Sequence, residues 1–211
     1  PEFRDYCPTL LKHDLNYLKY AKKPEILNCV KQVIGPNLAV WNQSFFAKPG
    51  INGKATPWHQ DGQYWPIRPL ATCTVWLAVD DANKENGCLK YMPGSHKRKT
   101  TRKHSTDNSG NYTLNQEIDP SEYDEKDAYH LCLESGQMAL HDVYIVHGSG
   151  TNVSPNSRRG MTIRYMPTSS TFDRELAAEQ EKEFNLDHAN RTLFLMSGED
   201  ESGTNDFIVR S

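Results

Sequence analysis

The sequence predicts a mainly β domain, a sandwich or barrel of short strands with helices packed outside it at the N-terminal end. Two observations carry that expectation. Between residues 38 and 166, short runs rich in β-branched and aromatic residues follow one another, each closed by a cluster of turn-forming residues. The segment with the clearest helical spacing comes before them, and no comparable helical period separates the strands.

Each element has its own justification. Pro24 to Gly35 places Ile26, Leu27, Val30, Val33 and Ile34 on one helical face, starts on proline and stops at Gly35-Pro36. The preceding His13 to Lys23 carries Leu15, Leu18 and Tyr20 and is also expected to be helical. Strands are expected at Leu38 to Lys48, Thr72 to Val79, Cys88 to Met92, Gln137 to His141, Tyr144 to His147 and Met161 to Met166. Turns are expected at Lys48 to Gly53, Glu85-Asn86-Gly87, Met92 to Ser95, and Gly148 through Asn156. Ser95 to Ser135 shows neither period; a basic run (Lys97, Arg98, Lys99, Arg102, Lys103) precedes an acidic one (Glu117, Asp119, Glu122, Asp124, Glu125, Asp127). A stretch this long inside a compact domain reads as a lid, a binding loop or a mobile insertion. The tail from Arg174 to Arg191 is charged, helical in pattern and without obvious chemistry. The expected organisation is one domain over 1–211: a helical flank (1–36), a β core (37–167) carrying the 95–135 insertion, and a C-terminal segment (168–211).

Composition bounds the function. A chain of 211 residues supports one substantial core, and 36% hydrophobic with 10% aromatic residues mark it as globular despite a mean hydropathy of -0.74. Its longest apolar stretch, Thr74 to Val79, is far short of the roughly 20 residues of a membrane helix. A net charge of -3 from interspersed charges gives no general attraction to nucleic acid. The five cysteines are scattered and form no C-x-x-C, so the expected setting is a reducing compartment such as the cytoplasm. The chain opens on Pro1, as a trimmed piece would, so a targeting peptide could precede it. Nothing bears on oligomeric state.

The chemistry concentrates in a few residues. In an extended strand His59 and Asp61 project to one face, where an imidazole nitrogen and a carboxylate oxygen can converge on one ion. His147 stands at the end of an apolar run, immediately before Gly148-Ser149-Gly150. Two histidines and one carboxylate leave coordination positions open, the arrangement of non-haem Fe(II) oxygenases; catalytic zinc sites are usually tetrahedral with one open position. His141 is a rival for the distal place, the alternative being a histidine hydrogen-bonded within the sheet, while His13, His96, His104 and His130 read as surface residues. Across the loop after His147 comes Arg158, which returns beside it if the two strands pair as neighbours and can then grip a dicarboxylate with a bidentate fork; Arg159 and Arg164 are the bland alternatives, a solvated basic edge, and register alone does not choose among the three. A serine hydrolase is excluded, because Gly148-Ser149-Gly150 is not a G-x-S-x-G elbow.

Taken together, W-H-Q-D (Trp58 to Asp61), W-L-A (Trp76 to Ala78), E-N-G-C-L (Glu85 to Leu89), P-G-S-H-K (Pro93 to Lys97) and H-G-S-G-T-N (His147 to Asn152), with Arg158 after them, resemble the phytanoyl-CoA dioxygenase family of Fe(II)- and 2-oxoglutarate-dependent oxygenases. The resemblance runs from about Trp41 to Pro167. It implies a double-stranded β-helix, a cupin-like jelly roll with the iron at its mouth. By that resemblance His59, Asp61 and His147 are the metal ligands and Arg158 pairs with the distal carboxylate of 2-oxoglutarate. Ser149 adds a hydroxyl to the same carboxylate, Gln43 orients the cosubstrate, and Trp76 with Thr74 lines its pocket. Glu85 to Gly87 and Pro93 to His96 are expected to be turns shaping the rim. The implied reaction hydroxylates an aliphatic C–H with O2, releasing succinate and CO2, and Asp61 disfavours halogenation, since related halogenases carry a small residue in its place. Tyr64, Trp65 and Arg68 flank the expected mouth, which suits an amphipathic or anionic small molecule; the basic run at Lys97 to Lys103 could attract phosphate, phosphonate or a coenzyme A tail. A non-catalytic metal-binding or sensing module of the same fold and an oxygenase acting on nucleic acid are the alternatives, the second disfavoured by the sparse basic clustering.

Overall fold

The computed structural model describes residues 5–184 and 188–210. After a short strand, β1 (Tyr6–Cys7), come α1 (Leu10–His13), a 3-10 turn at Leu15–Tyr17, α2 (Leu18–Ala21) and α3 (Pro24–Ile34). The single helix expected over His13 to Lys23 is therefore broken. Asp14 is extended, at φ -153° and ψ 112°, and its carboxylate accepts from the Asn16 N–H at 2.8 Å, so the side chain competes with helix propagation. By contrast α3 runs as expected, and Gly35 leaves it at φ 91°.

The β elements are β2 (Leu38–Lys48), β3 (Thr56–His59), β4 (Ile67–Arg68), β5 (Cys73–Ala78), β6 (Leu89–Tyr91), β7 (His104–Thr106), β8 (Gln116–Ile118), β9 (Tyr129–Leu131), β10 (Met138–Asp142), β11 (His147–Ser149), β12 (Arg158–Pro167) and β13 (Thr171–Phe172). They are followed by α4 (Arg174–Phe184) and β14 (Phe194–Ser197). A large antiparallel sheet runs β1-β2-β12-β5-β10, with β14 also pairing to β2, and a smaller one runs β3-β11-β6-β9. No ladder joins the two sheets among the described residues, so the jelly roll is an open sandwich and not a closed barrel. No described helix is long and apolar enough to cross a membrane.

Three expectations are corrected. Tyr144 to Val146 form a turn, not a strand: Asp142 accepts from the Tyr144 N–H and its carbonyl from the Ile145 N–H, which carries the chain from β10 in one sheet to β11 in the other, so His147 starts a strand. The 95–135 insertion contains order that its sequence period did not show, namely the β7-β8 hairpin and β9 on the edge of the small sheet. Its basic run is largely neutralised, since Arg98 and Arg102 meet Glu122 and Lys99 meets Asp142. The tail contributes α4 as expected and also β14, which the charged sequence around it concealed; residues 185–187 lie outside the described residues.

Side-chain alternation divides the large sheet. Leu38, Val40, Val75, Cys73, Met161, Ile163 and Tyr165 pack with Leu10, Ala21, Ile26 and Val30 of the helices, and Tyr165 donates its hydroxyl to the Ala21 carbonyl at 2.9 Å. The opposite face looks toward the small sheet. There β12 presents Arg158, Gly160, Thr162 and Arg164 in succession. A built Cβ on Gly160 would stand 2.1 Å from Trp76 Cζ2, so only glycine lets that indole lie flat across β12.

A bulge sets the inner face of β2. Arg164 pairs with Asn42 and Tyr165 with Val40, which leaves Trp41 as the extra residue. Trp41 therefore packs inside against Trp65, and Asn42 also faces inward. The alternation beyond them is displaced by one. Gln43 consequently points out of the sandwich, donating to the Tyr17 carbonyl at 3.3 Å, and it does not line the cleft where a cosubstrate-orienting residue was expected.

Candidate active site

Across the small sheet one row of side chains is set by register: His59 pairs with His147, and His147 with Tyr91. Asp61 lies two residues beyond the end of β3, at the start of a 3-10 turn and not in the strand itself. Gln60 between them remains extended, at φ -120° and ψ 133°, which preserves the common direction of its neighbours. Gln60 is itself a clamp. Its amide donates to the Tyr144 carbonyl and accepts from the Arg102 N–H, and its own N–H donates to His104 Nε2. His104 is thereby a half-buried brace and not the surface residue its polar surroundings implied.

Ligand atoms of His59, Asp61 and His147 lie within 4.8 Å of one another, with His59 Nε2 at 3.8 Å from Asp61 Oδ1. Each imidazole is oriented by a carbonyl, which can only accept: His59 Nδ1–H donates to Pro57 O at 2.8 Å, and His147 Nδ1–H to Ile145 O at 3.0 Å. Both Nε2 lone pairs are therefore free to face a shared ion, the tautomer that metal sites require. Burial lowers both histidine pKa values, His147's far below the usual 6.5, so the rings are neutral and ready as ligands. For Asp61 burial opposes ionisation, but the hydrogen bond from His141 and the field of Arg164 outweigh it and hold the carboxylate well below its usual range.

His141, the rival for the distal place, closes the cluster from the large sheet. Its Nδ1 accepts from the Tyr91 hydroxyl at 2.9 Å, so Nε2 carries the proton and donates to Asp61 Oδ2 at 3.4 Å. One carboxylate oxygen is thus held, and Oδ1 is the one turned toward His59.

The triad opens into a cleft of about 410 Å³ lined by Phe46, Thr74, Trp76, Leu89, Ser149, Thr162 and both Arg158 and Arg164. Register separates the three arginines that the sequence left open. Arg159 points outward and grips the Asp80 carboxylate through Nε at 2.8 Å and Nη2 at 2.7 Å. Arg158, 2% exposed, enters the cleft; its Nη2 donates to the Gly87 carbonyl at 3.0 Å, and its guanidinium lies 5.5 Å from the Trp76 ring centre. Gly87, at φ 78°, is the turn of E-N-G, and a Cβ there would meet the Gly150 carbonyl and the Lys48 stem. The turn chemistry expected at the rim therefore also aims an arginine.

No carboxylate stands within ion-pair distance of Arg158 or Arg164 among the described residues, and the Nε of each has no hydrogen-bond partner. Thr74 Oγ1 is likewise buried and unpartnered. Buried polar groups are nearly always satisfied, so these three mark a place for a polar guest. Arg164, which the sequence left as a solvated edge, is 5% exposed and donates to Ser44 Oγ at 2.6 Å. Period two from Arg158 reaches it, a signal that was present in the sequence. His188 and Asn42 had no such signal.

A second space of about 950 Å³ adjoins the first, sharing Phe46, Asp61 and Arg164 with it and reaching Tyr64, Trp65, Leu114, His188 and Arg191. Tyr64 and Trp65 thus stand at the mouth. Arg68 faces elsewhere, bound to the carbonyls of Trp65 and Ile67.

The profile of the phytanoyl-CoA dioxygenase family matches residues 1–160. Human peroxisomal phytanoyl-CoA dioxygenase is 31% identical over 160 residues, covering 73% of this chain and 47% of that protein. The Danio rerio phytanoyl-CoA dioxygenase domain-containing protein 1 is 32% identical over 159 residues, covering 74% and 54%. The chain spans about half the length of the curated relatives it matches. Among solved structures, the apo form of the non-heme monooxygenase ThoJ superimposes with a TM-score of 0.70 at 25% identity over 90% of this chain and 64% of that one. The α-ketoglutarate-dependent carbocyclase SnoK gives 0.69 at 20% identity, over 91% and 75%, a likeness of fold. With the profile covering most of its length, the chain belongs to the phytanoyl-CoA dioxygenase family.

Proposed function

We propose that this chain is an Fe(II)- and 2-oxoglutarate-dependent dioxygenase that hydroxylates an aliphatic C–H of a small molecule, with release of succinate and CO2. One observation carries the reading: a cluster of two neutral histidines and an ionised carboxylate shares a cleft with Arg158, a buried cation with no carboxylate of its own. Two nitrogens and one oxygen suit Fe(II) with positions left open, and Arg158, its Nε unpartnered among the described residues, suits a carboxylate guest together with the unpartnered Thr74 hydroxyl. Membership of a family whose human member is named a dioxygenase agrees.

Each residue then has a task. His59 and His147 present Nε2 lone pairs fixed by their carbonyl partners, and Asp61 presents Oδ1 while His141 holds Oδ2. Arg158 grips the distal carboxylate of 2-oxoglutarate, a charge-assisted contact worth about 1.5–3 kcal/mol, and Ser149 and Thr74 offer hydroxyls beside it. Phe46, Trp76 and Leu89 make the apolar walls that keep water from the reacting centre. When bound, the iron and its cosubstrate supply the oxidation, with O2 as oxidant and 2-oxoglutarate as the two-electron reductant.

The experiment is succinate formation from 2-oxoglutarate by the purified chain with Fe(II), in air and under anaerobic conditions, for wild type and His147→Ala. Oxygen-dependent succinate in the wild type that disappears in the folded variant is expected. Iron binding without succinate would instead support a metal-binding or sensing module, and undiminished turnover by His147→Ala would remove the histidine from the site.

A further inference from the structure

The charges of the cleft do not close with cofactor and cosubstrate alone. A divalent ion and the 2-oxoglutarate dianion cancel, imidazole ligands add no charge, and the Asp61 carboxylate offsets one arginine. One buried guanidinium is left over. Arg158 and Arg164 are six residues apart on one strand, roughly 20 Å along its axis at 3.3–3.4 Å per residue. A 2-oxoglutarate that chelates the metal has one free carboxylate, so it cannot serve both.

We infer that Arg164 is the anchor for a second carboxylate, carried by the substrate itself, and that Asn42 and His188 complete this subsite. Among the described residues Arg164 makes one hydrogen bond, to Ser44, and its guanidinium carbon lies 5.2 Å from the Trp65 ring centre, within cation–π reach. Asn42 is its neighbour across the β2–β12 ladder. His188 is 3% exposed, lines the same space, and neither ring nitrogen has a hydrogen-bond partner among the described residues. A buried imidazole without any hydrogen bond is costly, and a carboxylate beside it satisfies the ring as donor. Phe46, Tyr64, Trp65 and Leu114 give the rest of the space apolar and aromatic walls, interrupted by Thr9, Asn115 and Arg191 and, on the side of the triad, by Asp61. The structure therefore assigns an amphipathic carboxylate, with its head on Arg164 and its chain passing the triad.

This assignment rests on the oxygenase reading, and the experiment separates the two. Calorimetry on the Mn(II)-loaded protein measures 2-oxoglutarate first; octanoate and octanol are then titrated in the presence of saturating 2-oxoglutarate. The expected result is octanoate binding at least tenfold tighter than octanol, an advantage lost in Arg164→Met with metal and 2-oxoglutarate bound, and kept in Arg159→Met with 2-oxoglutarate affinity unchanged. Should Arg164→Met not fold, Arg164→Lys retains the charge without the fork and is expected to weaken octanoate alone. Octanoate displaced by 2-oxoglutarate, or bound no better than octanol, or equally well by the Arg164 variant, overturns the assignment while leaving the oxygenase reading intact. A wild type that binds no 2-oxoglutarate overturns both.

Discussion

Lys48 ends β2 opposite Arg158 in register, is 1% exposed, and its Nζ donates a hydrogen bond to the Lys54 carbonyl. Burial first, and the field of Arg158 second, lower its pKa from 10.5 to about 6. The folded value lies below the unfolded one, so between about pH 6 and 10.5 the unfolded chain holds a proton that the fold does not. Stability must then rise with pH across that window, by about 1.4 kcal/mol per unit for one whole proton, and fall as pH drops toward 6. At pH 7 the cost of stripping the proton from Lys48 is up to about 5 kcal/mol by the same conversion, an upper bound because relaxation reduces it. Lys48→Met keeps the apolar stem that packs beneath Gly53 and Gly87 and loses one hydrogen bond, worth about 1 kcal/mol net. The variant is therefore expected to be more stable than wild type at pH 7 by about 2 kcal/mol or more, with the gap closing as pH approaches 10. Urea unfolding at pH 7, 8, 9 and 10 measures the difference directly. A difference that stays constant with pH, or a less stable variant at pH 7, would refute the argument that Lys48 is neutral in the fold.

Arg158→Ala is expected to raise the 2-oxoglutarate concentration needed for half-maximal turnover by roughly tenfold to a hundredfold, from the loss of a charge-assisted contact, with little change in metal affinity; an unaltered requirement would move the role to Arg164. Gly160→Ala forces a Cβ into Trp76, so the indole must leave its place beside Arg158. A loss of about 1–3 kcal/mol in unfolding free energy with an altered Trp fluorescence spectrum is expected, and a neutral substitution would mean that the ring is not confined. Because burial lowers the pKa of His59 and His147, protonation below 6.5 is resisted by the fold and favoured in the unfolded chain. Both stability and metal affinity should therefore decline as pH falls below 6.5, read by melting and by Mn(II) titration from pH 7.5 to 5; affinity flat over that range would contradict imidazole ligation.

Much of the site was legible in the residues. His59, Asp61 and His147 could be read as a ligand set because their types and turn-flanked positions limit the chemistry available to them, and the structure brings them within 4.8 Å. Arg158, Ser149, Thr74 and Trp76 meet in one cleft, as the motifs led one to expect. Gln43 was placed by the resemblance of its N-Q-S run, which carries no notice of a bulge; one extra residue at Trp41 shifts the alternation after it and turns Gln43 to the helix side. His141 was readable only as an alternative, since its partners Tyr91 and Asp61 are 50 and 80 residues away. His188 sits in a charged tail with no pattern to mark it, and becomes notable only where the fold buries it beside Arg164.

What local sequence determined is the set of elements and the chemical kinds of side chain they carry: β-branched runs closed by turns, a proline-to-glycine helix, and two imidazoles with a carboxylate. These follow from interactions within a few residues, which a linear reading can see. Which arginine enters the cleft, which oxygen of Asp61 is held, and which buried cation stays without a counterion were decided by strand register and by segments that meet only when two sheets face each other. Those outcomes depend on contacts between residues distant in the chain, and no local period encodes them.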